Sequence, residues 1–452
     1  MLSPLCVSSP HRTLGLKSGI GLVIANMVGA GVFLSTGFMA QSLSPGLILL
    51  AWLIGAVLAL CGAKAYAEVA RLVPEGGGEY RYLSTLMHPA LGYLAGWASL
   101  LLGFSAPTAL DAMAAGAFAR AVVPALEPRW VAGALIITLT AVHAFGLHLS
   151  VRAQNALVAV KVLLLLVFVG VGVGWGSLAW PTWTPPTPTA TPVAEILKNL
   201  FFIAFAFSGW NAATYAASDF KEPERNVPRA MLFGCLAVGL LYLVVNYIFV
   251  ANLTPAQGTV VFQYDDFAAH TGQFDKVTLG QAVMAVLLGP IAAKVMSAVM
   301  LLLFISAMSA MLLVGPRVYA AMAEDGFLPR FLAAKQGHPP RAAVVLQGVL
   351  ALVLLGFHKD VSSILKNVGA VLVLFAALTV LGLFPAKFRA KSGEGPSTMS
   401  LLCAGVYVVS AGWMLFMGLK DSVSMMLWVF GVTAFGLGAF AVTRWARQRR
   451  PA

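Results

Sequence analysis

Residues 201–229, FFIAFAFSGWNAATYAASDFKEPERNVPR, hold an apolar run suited to a bilayer that is interrupted by Ser208-Gly209-Trp210-Asn211. A helix that loosens at such a point leaves amides and carbonyls without intrahelical partners, and lipid tolerates these only where they line a cavity or hold a ligand. The interruption therefore marks a candidate binding site. A second interruption lies in IANMVGAGVFLS, where Gly29-Ala30-Gly31 breaks the first apolar run. Two broken spans in corresponding positions of two halves are the pattern of a secondary transporter's substrate site.

The remainder of the chain sets these breaks in a membrane. Of 452 residues, 60% are hydrophobic and only 10% charged, against roughly 25% charged in an average soluble domain. Mean hydropathy is +0.87. The sequence is read as all-α and integral to the membrane. Apolar windows of about 20 residues predict twelve transmembrane helices, at 17–39, 46–72, 87–118, 130–147, 152–176, 193–218, 229–251, 280–315, 342–357, 361–386, 399–418 and 422–443. Breaks in spans 1 and 6, and unusual length in spans 3 and 8, suggest a 5+5 inverted repeat with two appended helices. The expected parts are an N-terminal tail (1–16), a first five-helix repeat (17–176), a second (193–386), helices 11 and 12 (399–443) and a basic tail (444–452). The pieces around 177–192 and 252–278 are too short to form separate catalytic or receptor modules.

The net charge of +12 is unevenly spread. Arg120, Arg129, Lys276, Lys359 and Lys420 fall in loops on one side, and Lys64, Lys161, Lys198, Lys294 and Lys366 inside spans. The remaining nineteen Lys and Arg lie in the termini and the opposite loops. By the positive-inside rule both termini are cytoplasmic, in a plasma membrane, or the inner membrane of a Gram-negative cell. The terminal RWARQRR reads as an anchor to anionic membrane lipid, not as a nucleic-acid patch. MLSPLCVSSPHR lacks the short apolar core and cleavage site of a signal peptide. Cys6, Cys61, Cys235 and Cys403 fall in the N-terminal tail or in spans, so free thiols are expected. No Ser/His/Asp set, metal-ligand spacing or phosphate loop stands out, so neither an enzyme nor a metal or other cofactor is expected.

Four stretches carry a family resemblance: VGAGVF at the first break, AYAEVARLVPEGGGEYRYL between spans 2 and 3, GWNAATYAASDFKEPERNVPRAM in span 6, and ISAMSAMLLVGPRVYAAMAEDGFLP in span 8. Together they resemble the amino acid–polyamine–organocation (APC) transporter superfamily, and the SGWN element resembles its L-type amino acid transporter branch. The resemblance spans roughly the first ten helices.

At the first break Val28, Gly29, Ala30, Gly31 and Val32 would offer backbone amides at a half-helix N-terminus, where unpaired N–H groups favour a carboxylate. Small residues at this point equally suit plain helix packing. At the second break the resemblance sets the carbonyls of Phe205 and Ser208 against a substrate ammonium, with Phe205 as an aromatic lid. Gly209, Trp210 and Asn211 would support the loosened segment or line a side-chain pocket, although Phe205 and Trp210 could equally be core aromatics. A zwitterionic amino acid would lie between the two breaks.

Lys161 lies nine residues after Arg152, about 14 Å deeper along a helix, where an unpaired ammonium costs at least about 2.5–3.5 kcal/mol. Sodium-independent members of the superfamily place a span 5 lysine where coupled relatives hold sodium. The resemblance carries that role to Lys161, with the first break near Gly29 and the hydroxyls of Ser306 and Ser309 as partners; snorkelling to the surface is the alternative. Asp111 in span 3 is either a paired structural carboxylate, a vestibule-edge group or an attractor of cationic substrates. Glu68, Asp219, Glu222, Glu224, Arg225, Arg229 and Arg317 are expected to form an inner-gate network, joined by Phe205. The superfamily usually carries glutamate at Asp219. Heteromeric L-type members carry a cysteine between spans 3 and 4, which ARAVVPALEPRW lacks, so a monomer without a disulfide-linked partner is expected.

These readings converge on a sodium-independent amino acid carrier that alternates access by proton symport or by exchange, with small or medium neutral substrates. The alternatives are a cationic amino acid or polyamine transporter, and a sensor that binds amino acids without moving them.

Overall fold

The computed structural model describes residues 14–29, 31–145, 147–253, 279–334, 339–357, 361–390, 395–421 and 423–448. Among them there is no named strand, only an isolated bridge between Leu14 and Phe220. Eight helices are long and apolar enough to cross a bilayer, and a ninth span arises if one bent pair is counted together. The chain is an all-helical, multi-pass membrane protein.

The bent pair is the first break. Helix α1 (Leu16–Met27) and α2 (Gly31–Met39) meet at 45°. Helix α3 (Pro45–Leu72) returns across the bundle, and a short α4 (Glu79–Leu86) leads into α5 (Pro89–Ala98). A π-helical turn, Ser99–Ser105, joins α5 to α6 (Ala106–Val122). Pro107 has no N–H to return to the preceding turn, and the hydroxyl of Ser105 donates to the carbonyl of Leu100 at 2.6 Å. Both conditions favour the wider turn. Helices α7 (Pro128–Phe145) and α8 (Leu147–Trp175) follow.

The second break is more extensive than a single loosened turn. Helix α9 (Pro192–Ala206) stops, residues 207–211 form a non-helical turn, and a one-turn α10 (Ala212–Tyr215) precedes the long α11 (Pro223–Asn252). The expected eighth span is also divided: α12 (Leu279–Leu288) ends at Gly289, whose φ of 84° only glycine adopts readily, and α13 (Pro290–Glu324) begins afresh. The apolar window runs through from 280 to 315, and the boundary within it is set by Gly289-Pro290, a breaker without polar side chains. Helices α14 (Arg341–Phe357), α15 (Val361–Leu381), α16 (Leu383–Arg389), α17 (Thr398–Asp421) and α18 (Val423–Gln448) complete the chain. The tails, Ala30, and residues 254–278 lie outside the described residues.

Burial is inverted relative to a soluble helix. On α8 the apolar Leu163, Leu166 and Val167 are exposed, while Lys161 is 1% exposed. Lipid solvates the leucines, and the protein interior supplies the only polar partners for the lysine.

The two breaks cross at glycines. A methyl on Gly31 would lie 2.6 Å from the Cα of Ala206, and one on Gly209, whose φ is 101°, would lie 2.9 Å from the main chain of Asn26. Each broken helix thus packs its glycine against the end of the other. Gly31→Ala must push α2 away from backbone that cannot yield. We expect it to cost about 1–3 kcal/mol and to lower the unfolding midpoint of the detergent-solubilised protein; an unchanged midpoint would show that α2 and α9 can separate freely.

Candidate functional site: a cavity at two helix breaks

A cavity of about 190 Å³ lies where the breaks cross. Gly29 and Gly31 line it from the first break, and Phe205, Ser208, Gly209, Trp210 and Asn211 from the second. Gly103, Pro107 and Asp111 contribute from the π-turn and α6, Phe304 and Met311 from α13, and Glu79 from α4. The volume is below the roughly 300–1,000 Å³ of drug-sized pockets and suits one small solute.

Not every expected contributor faces it. Val28 and Val32 are fully buried and absent from the wall, and Ala30 lies outside the described residues. The amide of Val28 is already engaged, donating to the carbonyl of Ile24 at 2.9 Å, because α1 keeps its last intrahelical bond. The carbonyl of Phe205 accepts the amide of Ser208 at 3.0 Å, so one of its lone pairs is already taken. Trp210 is both wall and core: it is 6% exposed and meets the rings of Tyr66 and Tyr407 edge-on at 4.8 and 5.9 Å.

The carbonyls released at the breaks have found donors. The ammonium of Lys161 donates to Val28 at 2.7 Å and to Ala25 at 3.0 Å. The hydroxyl of Tyr242 on α11 donates to the carbonyl of Met27 at 2.7 Å and shares the bond with that of Ala206 at 3.1 Å. One side chain therefore ties together the ends of α1 and α9. Lys161 does not snorkel. Its expected hydroxyl partners are corrected: the Oγ of Ser309 pairs with the Nε2 of His143 at 2.8 Å, and the Oγ of Ser306 is buried without a partner among the described residues. Two main-chain carbonyls already face the ammonium from α1, so it turns to them and not to α13. Asp111 lines the cavity and interacts electrostatically with Lys161.

The anticipated gate network resolves into separate contacts. Asp219 pairs with Arg317 through both Nε (2.6 Å) and Nη2 (2.5 Å), despite being shorter than glutamate. Glu68 faces elsewhere, bonded to Arg71 at 2.7 Å and to the hydroxyl of Ser400 at 2.9 Å, because its helix turns it toward α17. Among the described residues Arg225 forms an ion pair with Glu222 alone, at 3.7 Å, with both side chains more than 60% exposed; such a surface pair is worth little. Glu224 and Arg229 are also exposed. A bridge that the sequence reading missed joins Arg81 of α4 to Asp325 at 2.9 Å, with the hydroxyl of Tyr80 on the same carboxylate at 2.5 Å.

Two further contributors were missed. Tyr407, Ser410 and Met414 reach the cavity from α17, a helix read as an appendage. Glu79 is the second carboxylate of the wall; it belongs to the motif GGGEYRYL, whose resemblance assigns the glutamate no role.

Comparison with known proteins agrees with this architecture. The pattern of the amino acid permease family matches residues 14–440. The chain is 24% identical to the Asc-type amino acid transporter 1 of Mus musculus, over 97% of this chain and 85% of that protein. It is 25% identical to the large neutral amino acids transporter small subunit 2 of Rattus norvegicus (95% and 81%). It is likewise 25% identical to the b(0,+)-type amino acid transporter 1 of Mus musculus (94% and 86%). All three relatives are named as transporters, a role that is not enzymatic. With two crossed helix breaks enclosing a cavity, and a family match over nearly its whole length, this chain belongs to the amino acid permease family of the APC superfamily.

Proposed function

We propose that the protein is a secondary active carrier that moves amino acids by alternating access, with the zwitterion held where the two broken helices cross. The observation that carries this reading is the cavity whose wall includes Gly29 and Gly31 of one break and Ser208 to Asn211 of the other. Half-helix ends supply unpaired amides for a carboxylate and carbonyls for an ammonium. The full architecture under this reading is twelve spans in two five-helix repeats (17–176 and 193–386) plus two appended helices (399–443). Both termini face the cytoplasm, in the plasma membrane or its Gram-negative counterpart. The carrier acts as a monomer, since no cysteine stands between α6 and α7 to bond a partner.

Small or medium neutral amino acids are the first substrate class. The small volume and the glycines and alanines of the wall support it, as do the names of the Asc-type and large-neutral relatives. A cationic amino acid or polyamine is a second reading, favoured by Asp111 on the wall. Counterflow in proteoliposomes tests the carrier itself: labelled amino acid should accumulate against unlabelled internal substrate. A channel would dissipate the label, and a sensor would bind without moving it.

Lys161 gives the reading its ionic character. Its ammonium occupies the polar position between α8 and the end of α1, which supports sodium independence, by proton symport or amino acid exchange. Uptake is expected to be the same when Na⁺ is replaced by choline; a requirement for Na⁺ would overturn the assignment. Lys161→Ala strands two buried carbonyls, each costing about 1–3 kcal/mol, so uptake should fall at least about tenfold. Measured against external pH, the variant should also lose whatever proton stimulation the wild type shows; stimulation that survives unchanged would place the proton elsewhere.

A further inference from the structure

The carboxylate of Glu79 has an asymmetry that the site as described leaves unused. Its Oε1 accepts three hydrogen bonds, from the hydroxyl of Tyr66 at 2.8 Å, the amide of Asn211 at 2.7 Å and the hydroxyl of Tyr215 at 3.0 Å. Its Oε2 is buried and has no hydrogen-bond partner among the described residues. The residue is 6% exposed and lines the cavity.

Among the described residues no cationic side chain is paired with this carboxyl group, and no Lys, Arg or His of these residues lines the cavity. The three donors that touch it are neutral. Asp111, the other carboxylate of the wall, differs in having the ammonium of Lys161 as an opposite charge. A buried carboxylate oxygen left without a partner is costly, and such groups cluster at functional sites.

We propose that Oε2 of Glu79 is the acceptor for the side-chain cation of a basic amino acid. The proposal takes the second substrate reading, the cationic amino acid, and rests on the carrier function: the α-carboxylate and α-ammonium engage the helix breaks, and the side chain runs toward α4. Asn211 joins the two subsites, since it belongs to the second break and donates to Glu79. An organic ammonium or guanidinium meets the requirement better than a bare proton does. A proton on Oε2 would itself be a buried donor lacking an acceptor among the described residues, whereas an alkylammonium supplies one N–H to Oε2 and directs the others into the cavity.

Lysine and norleucine test this, because they share a backbone and the same four-carbon side-chain length and differ in the terminal ammonium. Ligand-induced thermal stabilisation of the purified full-length protein gives an apparent affinity for each. The wild type is expected to prefer lysine, Glu79→Gln to reduce the lysine-to-norleucine affinity ratio by about tenfold or more, and Glu79→Asp to retain part of it. If the wild type binds norleucine without preferring lysine, the Glu79 assignment is overturned and the carrier reading stands. If Glu79→Gln weakens both ligands equally, the carboxylate only latches Asn211 and Tyr215, and the assignment is again overturned. Binding of neither ligand, nor of any common amino acid, would remove the carrier reading itself. Should Glu79→Gln not fold, the wild-type preference and the Glu79→Asp ratio decide the question.

Discussion

Main-chain carbonyls in a medium without water must find donors, and the structure is organised around that requirement. Interrupting α1 and α9 releases the carbonyls of Ala25, Met27, Val28 and Ala206 from their helices. Lys161 takes Ala25 and Val28, and Tyr242 takes Met27 and Ala206. Each unpaired group would cost several kcal/mol in hydrocarbon. The donors come from α8 and α11, so the breaks persist only while those helices pack against α1 and α9. The breaks, the cavity they enclose and the helices that tether them form one cooperative unit.

Close packing of the crossed breaks then sets the size of the site. Gly31 against Ala206, and Gly209 against Asn26, let the two backbones approach more closely than any side chain would permit. The space left between them is small and partly polar, with main chain exposed on two sides. The π-turn at Ser99–Ser105 brings Gly103 and Phe104 into the wall, and the ring of Phe104 meets that of Tyr215 edge-on at 5.0 Å. Under the proposed function a zwitterion sheds its bulk-water shell in this space, and exposed peptide groups in fixed positions can replace that shell.

Charge is placed sparingly. Asp219 and Arg317 link the turn after α10 to α13, while Arg81 and Asp325 link α4 to the end of α13. Both bridges lie at the end of the bundle where Leu14 pairs with Phe220. Asp219–Arg317, along with the backbone bonds that Leu14 makes with Asp219 and Lys221, joins the turn after the second break to elements that do not carry it.

Apolar windows and the Gly-containing interruptions were enough to determine the membrane class, the all-helical class and the position of both breaks. Each follows from local chemistry: length against bilayer thickness, freed peptide groups, and the cost of a charge in lipid. The tertiary structure alone decided which groups meet. Lys161 chose the carbonyls of α1 over Ser306 and Ser309, Glu68 turned to Ser400, and α17 entered the wall through Tyr407. The division of the eighth apolar stretch is written in Gly289-Pro290, a breaker that hydropathy windows pass over because α12 and α13 are alike in composition. In a chain this apolar, every helix face resembles the others, and hydrophobicity along the sequence carries no record of which face looks inward; only packing of all the helices together assigns each polar group its partner.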